Sequence, residues 1–269
     1  MKQLLLILAV VMGQSVLAAD DKPGTLRPDV VKAMRAVHSG FKGTRGRVAQ
    51  FGDSITYSMA FWSPMSWDDP QRFLNQDAGL PKTPVKGRWR DAIQGARDKG
   101  PKFGNYSGWR VGNLLKTMDA VLVHDRPESA IIMIGTNDIS GNRVPAGYRA
   151  GLESIVDKCL KAHCVPILNT IPPRRGHDKS VKAINAIIRD VAAKQKLPLA
   201  DFYAACLRAR PGNTWDGTII SKDGVHPSGG KTNLYSAINL KTSGYALRNW
   251  VNFLVVRQLH FRVFEYQPE

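Results

Sequence analysis

The sequence is poor in cysteine and contains no internal repeat or low-complexity linker. Three Cys among 269 residues are too few for a disulfide scaffold, and no C-x-x-C pair suggests a zinc site. Cys159 and Cys164 are close enough in sequence to bridge a helix end to the next strand, and reduced buried thiols are the equally weighted alternative. Repeat architectures are excluded, and we expect one domain over residues 20–269, a length sufficient for a single large core.

Hydrophobic runs long enough to span a membrane are also missing. The run from Leu4 to Met12 follows a Lys and precedes small residues, which is typical of a secretory signal peptide over residues 1–19, cleaved after Ala18 or Ala19. A membrane anchor is the alternative, but these nine apolar residues are fewer than the roughly 20 that a spanning helix needs. We therefore expect an exported protein, secreted or periplasmic, without a membrane span.

Acidic residues are outnumbered by basic ones. The chain has 22 Asp and Glu against 38 Lys and Arg, a formal net charge of +16. In an exported protein this favours contact with an anionic surface, such as an acidic polysaccharide, the cell envelope or nucleic acid. Residues 81–102 hold seven basic residues against two Asp, most of which we expect on a solvated face. No zinc-finger, RNP-type or helix-turn-helix pattern accompanies the charge, so dedicated nucleic-acid binding is not expected.

Strand and helix patterns alternate along the mature chain. Short apolar runs predict strands at 47–51, 129–135, 165–170 and 197–202, and one more just before residue 106. Apolar residues at helical spacing predict helices at 29–41, 108–124, 146–161, 180–196 and 245–258. The alternation predicts an α/β fold, a three-layer α/β/α sandwich around a central, mostly parallel sheet of about five strands. Residues 57–104 are irregular and are expected to form an insertion over the sheet edge.

Four short polar motifs punctuate this pattern. FGDS (51–54) follows an apolar run, YSGW (106–109) follows the expected second strand, and GTND (135–138) follows the clearest strand. DGVHP (223–227) lies near the C-terminus. Each motif alone is compatible with an ordinary turn or helix cap. Parallel strands end at one edge of a sheet, however, so the first three motifs are expected to converge where open α/β folds bind ligands.

These residue types suit ester cleavage by a serine. Ser54 is the candidate nucleophile, His226 the base that takes its proton and later protonates the leaving alkoxide, and Asp223 the group that fixes the imidazole tautomer. The chain has no G-x-S-x-G, which argues against the ordinary α/β-hydrolase elbow. The remaining histidines are scattered without metal-ligand spacing, so no metal and no cofactor are expected.

In their order, the four motifs resemble those of the SGNH, or GDSL, hydrolases, and the resemblance runs from about Arg47 to Gly229. It implies the flavodoxin-like SGNH fold and an oxyanion hole formed by the backbone N–H groups of Ser54 and Gly108 and the side-chain amide of Asn137. The YSGWR stretch is similar, more weakly, to the carbohydrate-esterase branches of that superfamily.

The neighbouring acidic residues have simpler explanations. We expect Asp53 to accept hydrogen bonds from the backbone of its own turn, and Asp138 to cap the segment that follows it.

Candidate substrate contacts lie close to these motifs. Trp62 follows the FGDS turn, Trp109 follows the oxyanion glycine, and Arg88 and Arg90 belong to the basic insertion. A small core within the insertion is the competing role for the tryptophans, and a solvated face is that for the arginines.

We therefore expect an exported serine ester hydrolase that removes acetyl or other short acyl groups from a carbohydrate. A lipid-directed esterase or thioesterase of the same fold is the alternative enzyme. A non-catalytic polysaccharide-binding protein on the same scaffold is disfavoured, because Ser54, His226 and Asp223 are all present.

Overall fold

The computed structural model describes residues 24–74, 92–139 and 142–264. Four strands lie within these residues: β1 (Thr44–Gly52), β2 (Pro127–Met133), β3 (Val165–Asn169) and β4 (Leu199–Ala200). The helices of the first half are α1 (Pro28–His38), α2 (Ser54–Tyr57) and α3 (Val111–Asp125). Those of the second half are α4 (Tyr148–Lys161), α5 (Asp178–Lys194), α6 (Phe202–Ala209) and α7 (Gly244–Leu259).

The sheet is parallel and its strands lie in the order β1-β2-β3-β4. Every residue of β2 and β3 is buried, which explains why apolar residues predominate in both strands, since helices cover both faces of such strands. The register pairs Gly52 at the end of β1 with Met133 at the end of β2. The segments that leave these two strands therefore begin side by side at the carboxyl edge of the sheet.

The helices form two groups around the sheet. α3, α4 and α5 are the crossover helices between successive strands; they pack on one another in chain order and contact β1 and β3. α6 packs on α7, while α1 and α7 both contact the final turn at residues 260–264. Apolar side chains from the sheet and from both helix groups form one buried cluster. The predicted α/β fold with helices flanking a parallel sheet is confirmed.

Local sequence signals explain where several helices begin. Pro28 opens α1 at a position where its missing N–H costs nothing. The Asp201 carboxylate caps α6 by accepting from the Ala204 N–H at 3.0 Å. The Ser243 hydroxyl caps α7 by accepting from the Ala246 N–H at 3.2 Å.

The strand expected just before residue 106 is absent from the described residues. Only isolated parallel bridges join β1 to the chain there, from Arg47 to Gln94 and from Gly52 to Asn105. The Asn105 side chain takes over part of the pairing, because its Nδ2 donates to the Gln50 carbonyl at 2.8 Å. The sheet consequently has four described strands where about five were predicted.

The disulfide considered between Cys159 and Cys164 is not formed. All three cysteines, Cys159, Cys164 and Cys206, are buried free thiols. The predicted signal peptide at 1–19 lies outside the described residues, as does the middle of the insertion, at 75–91. None of the described helices is both long and apolar enough to cross a membrane.

Candidate active site

The Ser54 turn, defined as residues 53–57, starts where β1 ends. The Asp53 carboxylate caps α2, accepting from the Ile55 N–H at 3.0 Å. This contact agrees with the structural role predicted for Asp53. It also places Ser54 at the first position of α2, at the carboxyl edge of the sheet, where Ser54 is partly exposed.

The His226 loop, defined as residues 221–226, brings the other two predicted residues to Ser54. Ser54 Oγ lies 2.8 Å from His226 Nε2, and His226 Nδ1 lies 2.6 Å from Asp223 Oδ2. Residue pairs that are 172 and 3 positions apart in the sequence thus form one hydrogen-bonded chain. Such a chain can withdraw the serine proton and stabilise the imidazolium that results.

Asp223 is held as an anion by its own loop. Partial burial raises the pKa of this carboxyl, but hydrogen bonds from the Ser221 hydroxyl, the Val225 N–H and His226 outweigh that effect. The net result is a pKa well below the ordinary value for an aspartate. Asp223 therefore stays charged at neutral pH and can keep the proton of His226 on Nδ1.

Arg175 braces the His226 loop from outside. Its guanidinium makes two 2.7 Å bonds to Asp216 and one of 3.1 Å to the Lys222 carbonyl. Its backbone N–H donates to the Gly224 carbonyl at 2.9 Å. A planar, bidentate arginine of this kind fixes direction as well as distance, so Arg175 ties the His226 loop to Asp216.

Two of the three predicted oxyanion donors, Gly108 and Asn137, lie on adjoining loops. Asn137 Nδ2 donates to the Trp109 carbonyl at 3.0 Å, which uses one of its two amide N–H groups and joins the GTND loop to the YSGW loop. Gly108 is exposed with φ +76°, a left-handed conformation that favours glycine. Apart from Gly108 and its two neighbours in the chain, no atom lies within 4 Å of the place where a Cβ would be, so the space beside its backbone is open.

Asp138 has a different partner from the one predicted. Its carboxylate accepts from the Val111 N–H at 3.2 and 3.3 Å, which caps the start of α3 rather than the segment after the GTND loop. The contact joins two loops of the carboxyl edge, as the Asn137 contact does. Burial raises the pKa of Asp138, and the Val111 N–H opposes that increase.

Trp62 is not available to a substrate, so the prediction that it contacts one is wrong. The side chain is completely buried among apolar residues, and its backbone N–H donates to Asn249 Oδ1 at 2.8 Å. Trp109 is partly exposed beside Gly108 and remains a candidate. Arg88 and Arg90 lie outside the described residues.

A buried arginine from α7 holds the C-terminal end of the Ser54 turn. Arg248 has no exposed surface; its guanidinium donates to the Ile55 carbonyl at 2.7 Å and to Thr56 Oγ1 at 2.9 Å. Its guanidinium carbon also lies 3.5 Å from the centre of the Phe61 ring. Burial lowers the pKa of Arg248 to about 9, so the group is still a cation at neutral pH.

Lys99 supports the same turn from the insertion. Its Nζ lies 2.6 Å from Gln50 Oε1, 2.8 Å from the Thr56 carbonyl and 3.1 Å from the Phe61 carbonyl. Three oxygen acceptors match the three N–H donors of an ammonium group, which has no acceptor of its own. Burial and the charge of Arg248 lower the pKa of Lys99 well below the ordinary value. The three acceptors stabilise the charged form against that effect.

The same helix that carries Arg248 also fixes the chain just after His226. The Tyr245 N–H donates to the Ser228 carbonyl at 3.0 Å, and the Gly244 N–H donates to Ser228 Oγ at 3.1 Å. A Cβ on Gly244 would lie 1.9 Å from the Ile219 carbonyl oxygen, so only glycine permits this approach. The first two turns of α7 therefore contact both the Ser54 turn and the chain just after the His226 loop.

The sequence pattern did not single out these supporting residues. Arg248 and Arg175 belong to no motif, and Lys99 was counted with the solvated charges of residues 81–102. One signal was available for Arg248, because it is the only charged residue among positions 245–256 of the predicted final helix. Arg97 and Lys102 are exposed, as expected.

Comparison with known protein families shows to which family the chain belongs. The model of the GDSL-like lipase/acylhydrolase family matches residues 51–229, more than half of the chain. The chain belongs to the GDSL-like lipase/acylhydrolase family. It is accordingly a carboxylic ester hydrolase. The matched range begins directly before the Ser54 turn and ends just after the His226 loop. No curated protein sequence matches the chain closely enough to be counted as a relative.

Solved structures of several esterases and lipases share the fold at low sequence identity. A GDSL-like lipase from Bacteroides thetaiotaomicron matches with a TM-score of 0.55 and 16% identity, over 86% of this chain and 98% of that one. A lipase/acylhydrolase from Enterococcus faecalis matches with a TM-score of 0.53 and 23% identity, over 82% and 99%. An acetyl xylan esterase matches with a TM-score of 0.50 and 18% identity, over 77% and 98%. At these identities the likeness establishes the fold.

The described part of this GDSL-like hydrolase offers no evident metal centre. Across residues 24–74, 92–139 and 142–264, no three His, Cys, Asp or Glu side chains are grouped so as to hold an ion. The chemistry available at the carboxyl edge is that of a hydroxyl, an imidazole, a carboxylate and amide donors.

Replacement of Arg248 by Met is expected to impair both stability and activity. The Ile55 carbonyl and Thr56 Oγ1 would be left buried without this donor, which costs roughly 1–3 kcal/mol of unfolding free energy. A shift of the Ser54 turn by about 1 Å would lower kcat on the order of 10²-fold. The measurements are chemical denaturation and ester hydrolysis by the folded variant.

Arg257→Met is the matched control for that variant. Arg257 is also buried on α7, but it lies nine residues after Arg248, about 14 Å further along the helix, with its guanidinium 4.9 Å from the Phe261 ring centre. Its replacement is expected to lower stability while the folded protein keeps its kcat. Equal losses of kcat in the two variants would contradict a specific role for Arg248.

Asp53 is expected to make stability depend on pH. Burial raises its pKa from 3.8 to about 6, against the opposing effects of the Ile55 N–H and the Arg248 charge. Between about pH 4 and 6 the folded state binds the extra proton, so the free energy of unfolding falls as the pH rises through this window. A shift of this size corresponds to on the order of 3 kcal/mol.

The Asp53→Asn variant tests this dependence, because its amide oxygen can still accept from the Ile55 N–H but does not titrate. Denaturation of both proteins at about pH 4 and about pH 8 gives the comparison. The variant should gain stability relative to the wild type as the pH rises. A constant difference between the two proteins would mean that Asp53 has an ordinary pKa.

Proposed function

We propose that this chain is an exported serine ester hydrolase that removes acetyl or other short acyl groups from a carbohydrate. The observation that carries the proposal is the hydrogen-bonded chain from Ser54 through His226 to Asp223, with a 2.8 Å Oγ–Nε2 contact and a 2.6 Å Nδ1–Oδ2 contact. Membership in a family of acylhydrolases supplies the reaction class in which such a chain is useful.

Acylation follows from this geometry. Ser54 Oγ attacks the ester carbonyl carbon while His226 Nε2 accepts the hydroxyl proton. The charge that develops on the imidazolium is stabilised by Asp223, whose low pKa keeps it anionic. The tetrahedral intermediate then collapses, the bond to the leaving alkoxide breaks, and His226 returns the proton to that oxygen. The product of this half-reaction is an acyl group on Ser54 and a free alcohol.

The negative oxygen of the intermediate needs donors that are already in place. The Ser54 and Gly108 backbone N–H groups and the second amide N–H of Asn137 fill this role in the proposal. The first N–H of Asn137 is bound to the Trp109 carbonyl, so the amide is oriented before the substrate arrives. Loss of one such donor costs about 3–4 kcal/mol in transition-state stabilisation.

Deacylation repeats the sequence with water. A water molecule attacks the acyl carbonyl of acylated Ser54, and His226 takes its proton. Collapse of the second intermediate releases the carboxylic acid, and the proton on His226 returns to Ser54 Oγ. The enzyme is restored with no net change in its protonation, and no cofactor is consumed.

Export and the carbohydrate leaving group are supported by sequence and surface. The apolar run of residues 4–12 within the 1–19 segment supports a cleaved signal. The net charge of +16 favours approach to an anionic polymer, and exposed Arg97 and Lys102 are part of that charge. Partly exposed Trp109 beside Gly108 offers a flat face to a sugar ring.

Ser54→Ala and His226→Ala are each expected to abolish hydrolysis of p-nitrophenyl acetate, since either change removes an essential member of the proton-transfer chain. Ser154→Ala, which removes a hydroxyl bonded only to its own helix carbonyl at 2.9 Å, is the matched control and should keep full activity. A fluorophosphonate should label the wild type and the control at Ser54, and the Ser54→Ala protein not at all.

A series of p-nitrophenyl esters from acetate to palmitate measures acyl preference in the same proteins. Short esters should be the better substrates. Activity that survives in folded Ser54→Ala protein, or labelling of another serine, would overturn the assignment. A preference for palmitate would instead favour the lipid-directed alternative.

A further inference from the structure

Three aromatic side chains form a row at the loops that carry the candidate oxyanion donors. The aromatic strip consists of Tyr57, Tyr106 and Trp109. The ring centres of Tyr57 and Tyr106 are 5.2 Å apart, and those of Tyr106 and Trp109 are 6.3 Å apart. Both distances fall within the range over which aromatic rings contact one another. The strip therefore links the Ser54 turn to the YSGW loop by side-chain contacts.

The strip is continuous with the candidate active site at both ends. Tyr57 is the last residue of α2, three positions after Ser54, and residues at this spacing lie on neighbouring parts of a helix surface. The Tyr106 N–H donates to the Gly52 carbonyl at 3.3 Å, directly before the Ser54 turn. Trp109 accepts from the Asn137 amide at 3.0 Å. Gly108, with open space beside its backbone, lies between Tyr106 and Trp109 in the sequence.

The strip is exposed where most aromatic residues of the described chain are buried. Tyr57 is 37% exposed and Tyr106 is 42% exposed. Trp109 is partly exposed, whereas Trp62 and Phe61, in the same region of the sequence as Tyr57, have no exposed surface. Core packing therefore accounts for Trp62 and Phe61 and for the buried part of Trp109, but it does not account for the exposed rings of Tyr57 and Tyr106.

The shape of the strip suits a sugar ring better than an acyl chain. Adjacent rings are inclined at 55° and 57°, so each offers its own facet rather than one wall of a closed apolar channel. A pyranose has a C–H face that can lie on the negative face of an aromatic ring, and a rim of hydroxyls that the two tyrosine hydroxyls can bond. A long alkyl chain gains most where it is wholly removed from water.

We infer that Tyr57, Tyr106 and Trp109 form a subsite for the pyranose ring that carries the scissile ester. This inference rests on the proposed function, because the ring bound there belongs to the alcohol that leaves from Ser54. The strip holds the sugar while its acyl group is presented to the Ser54 hydroxyl and the oxyanion donors. Specificity for the alcohol thus lies on the Ser54 turn and the YSGW loop.

The test compares two esters with ethyl acetate, from which each differs in one part. An acetylated methyl pyranoside has a sugar ring as its alcohol, and ethyl octanoate has a longer acyl chain. Tyr57→Ala, Tyr106→Ala and the double variant are measured on all three. Each ring removed should lower kcat/KM on the pyranoside by roughly 2- to 10-fold relative to kcat/KM on ethyl acetate.

Two further variants separate stacking from other effects. Tyr106→Phe keeps the ring and should retain most of the activity on the pyranoside. Val123→Ala removes an exposed apolar side chain on α3, about 18 Å along the helix from Val111. It should leave kcat/KM unchanged on both the pyranoside and ethyl acetate. Equal losses on the pyranoside and ethyl acetate, or no loss on either, would overturn the subsite. A loss confined to ethyl octanoate would assign the strip to the acyl chain and would also overturn it.

Direct binding keeps this result independent of the proposed mechanism. Folded Ser54→Ala protein is titrated with the acetylated methyl pyranoside, and the same titration is made after adding the Tyr57→Ala and Tyr106→Ala changes. The subsite predicts saturable binding that weakens when the rings are removed. Binding that is absent or unaffected by the rings would overturn the subsite, whatever the outcome for catalysis. Activity persisting in Ser54→Ala would overturn the proposed function instead.

Discussion

The geometry of the site depends on the buried guanidinium of Arg248. The group has no exposed surface and bonds the Ile55 carbonyl and Thr56 Oγ1, so hydrogen bonds that compensate its desolvated charge are lost if the Ser54 turn moves. One helical turn earlier, Gly244 and Tyr245 bond Ser228, just after the His226 loop. The start of α7 thereby sets the separation of two segments that are far apart in sequence. The 2.8 Å contact between Ser54 and His226 is the consequence.

The parallel sheet determines where the Ser54 turn and the GTND loop begin. β1 and β2 end in register, so the Ser54 turn and the GTND loop begin beside each other. Hydrogen bonds between loops then replace sheet pairing: Asn137 bonds the Trp109 carbonyl, and Asp138 bonds the Val111 N–H. Carboxyl groups are buried at this edge of the sheet, and the burial raises the pKa values of Asp53 and Asp138. Nearby cations and N–H donors lower these pKa values and so offset part of the effect of burial.

The sequence predicted the parts of the molecule that follow from short-range pattern. Apolar periodicity located the principal strands and helices within a few residues, and motif order identified residues that the fold brings together at 2.8 and 2.6 Å. Sequence-based prediction was wrong where contacts between distant parts of the chain determine the structure. Trp62 looked available to a substrate, yet it is completely buried, and the strand expected before residue 106 is replaced by bridges and by the Asn105 side chain. The burial of Arg248 and the exposure of Tyr57 are likewise tertiary facts that no local pattern encodes.

The central claim is that the Ser54 oxygen becomes acylated during turnover. Trapping that intermediate tests it most directly: the enzyme is mixed with excess p-nitrophenyl acetate, quenched in acid during the first turnover, digested and examined by peptide mass spectrometry. The account predicts an acetyl group on the peptide that contains Ser54, and on Ser54 within it, at a level that rises with the initial burst of p-nitrophenol. An unmodified Ser54 peptide during active turnover, or acetylation of a different residue in step with the burst, would contradict the account.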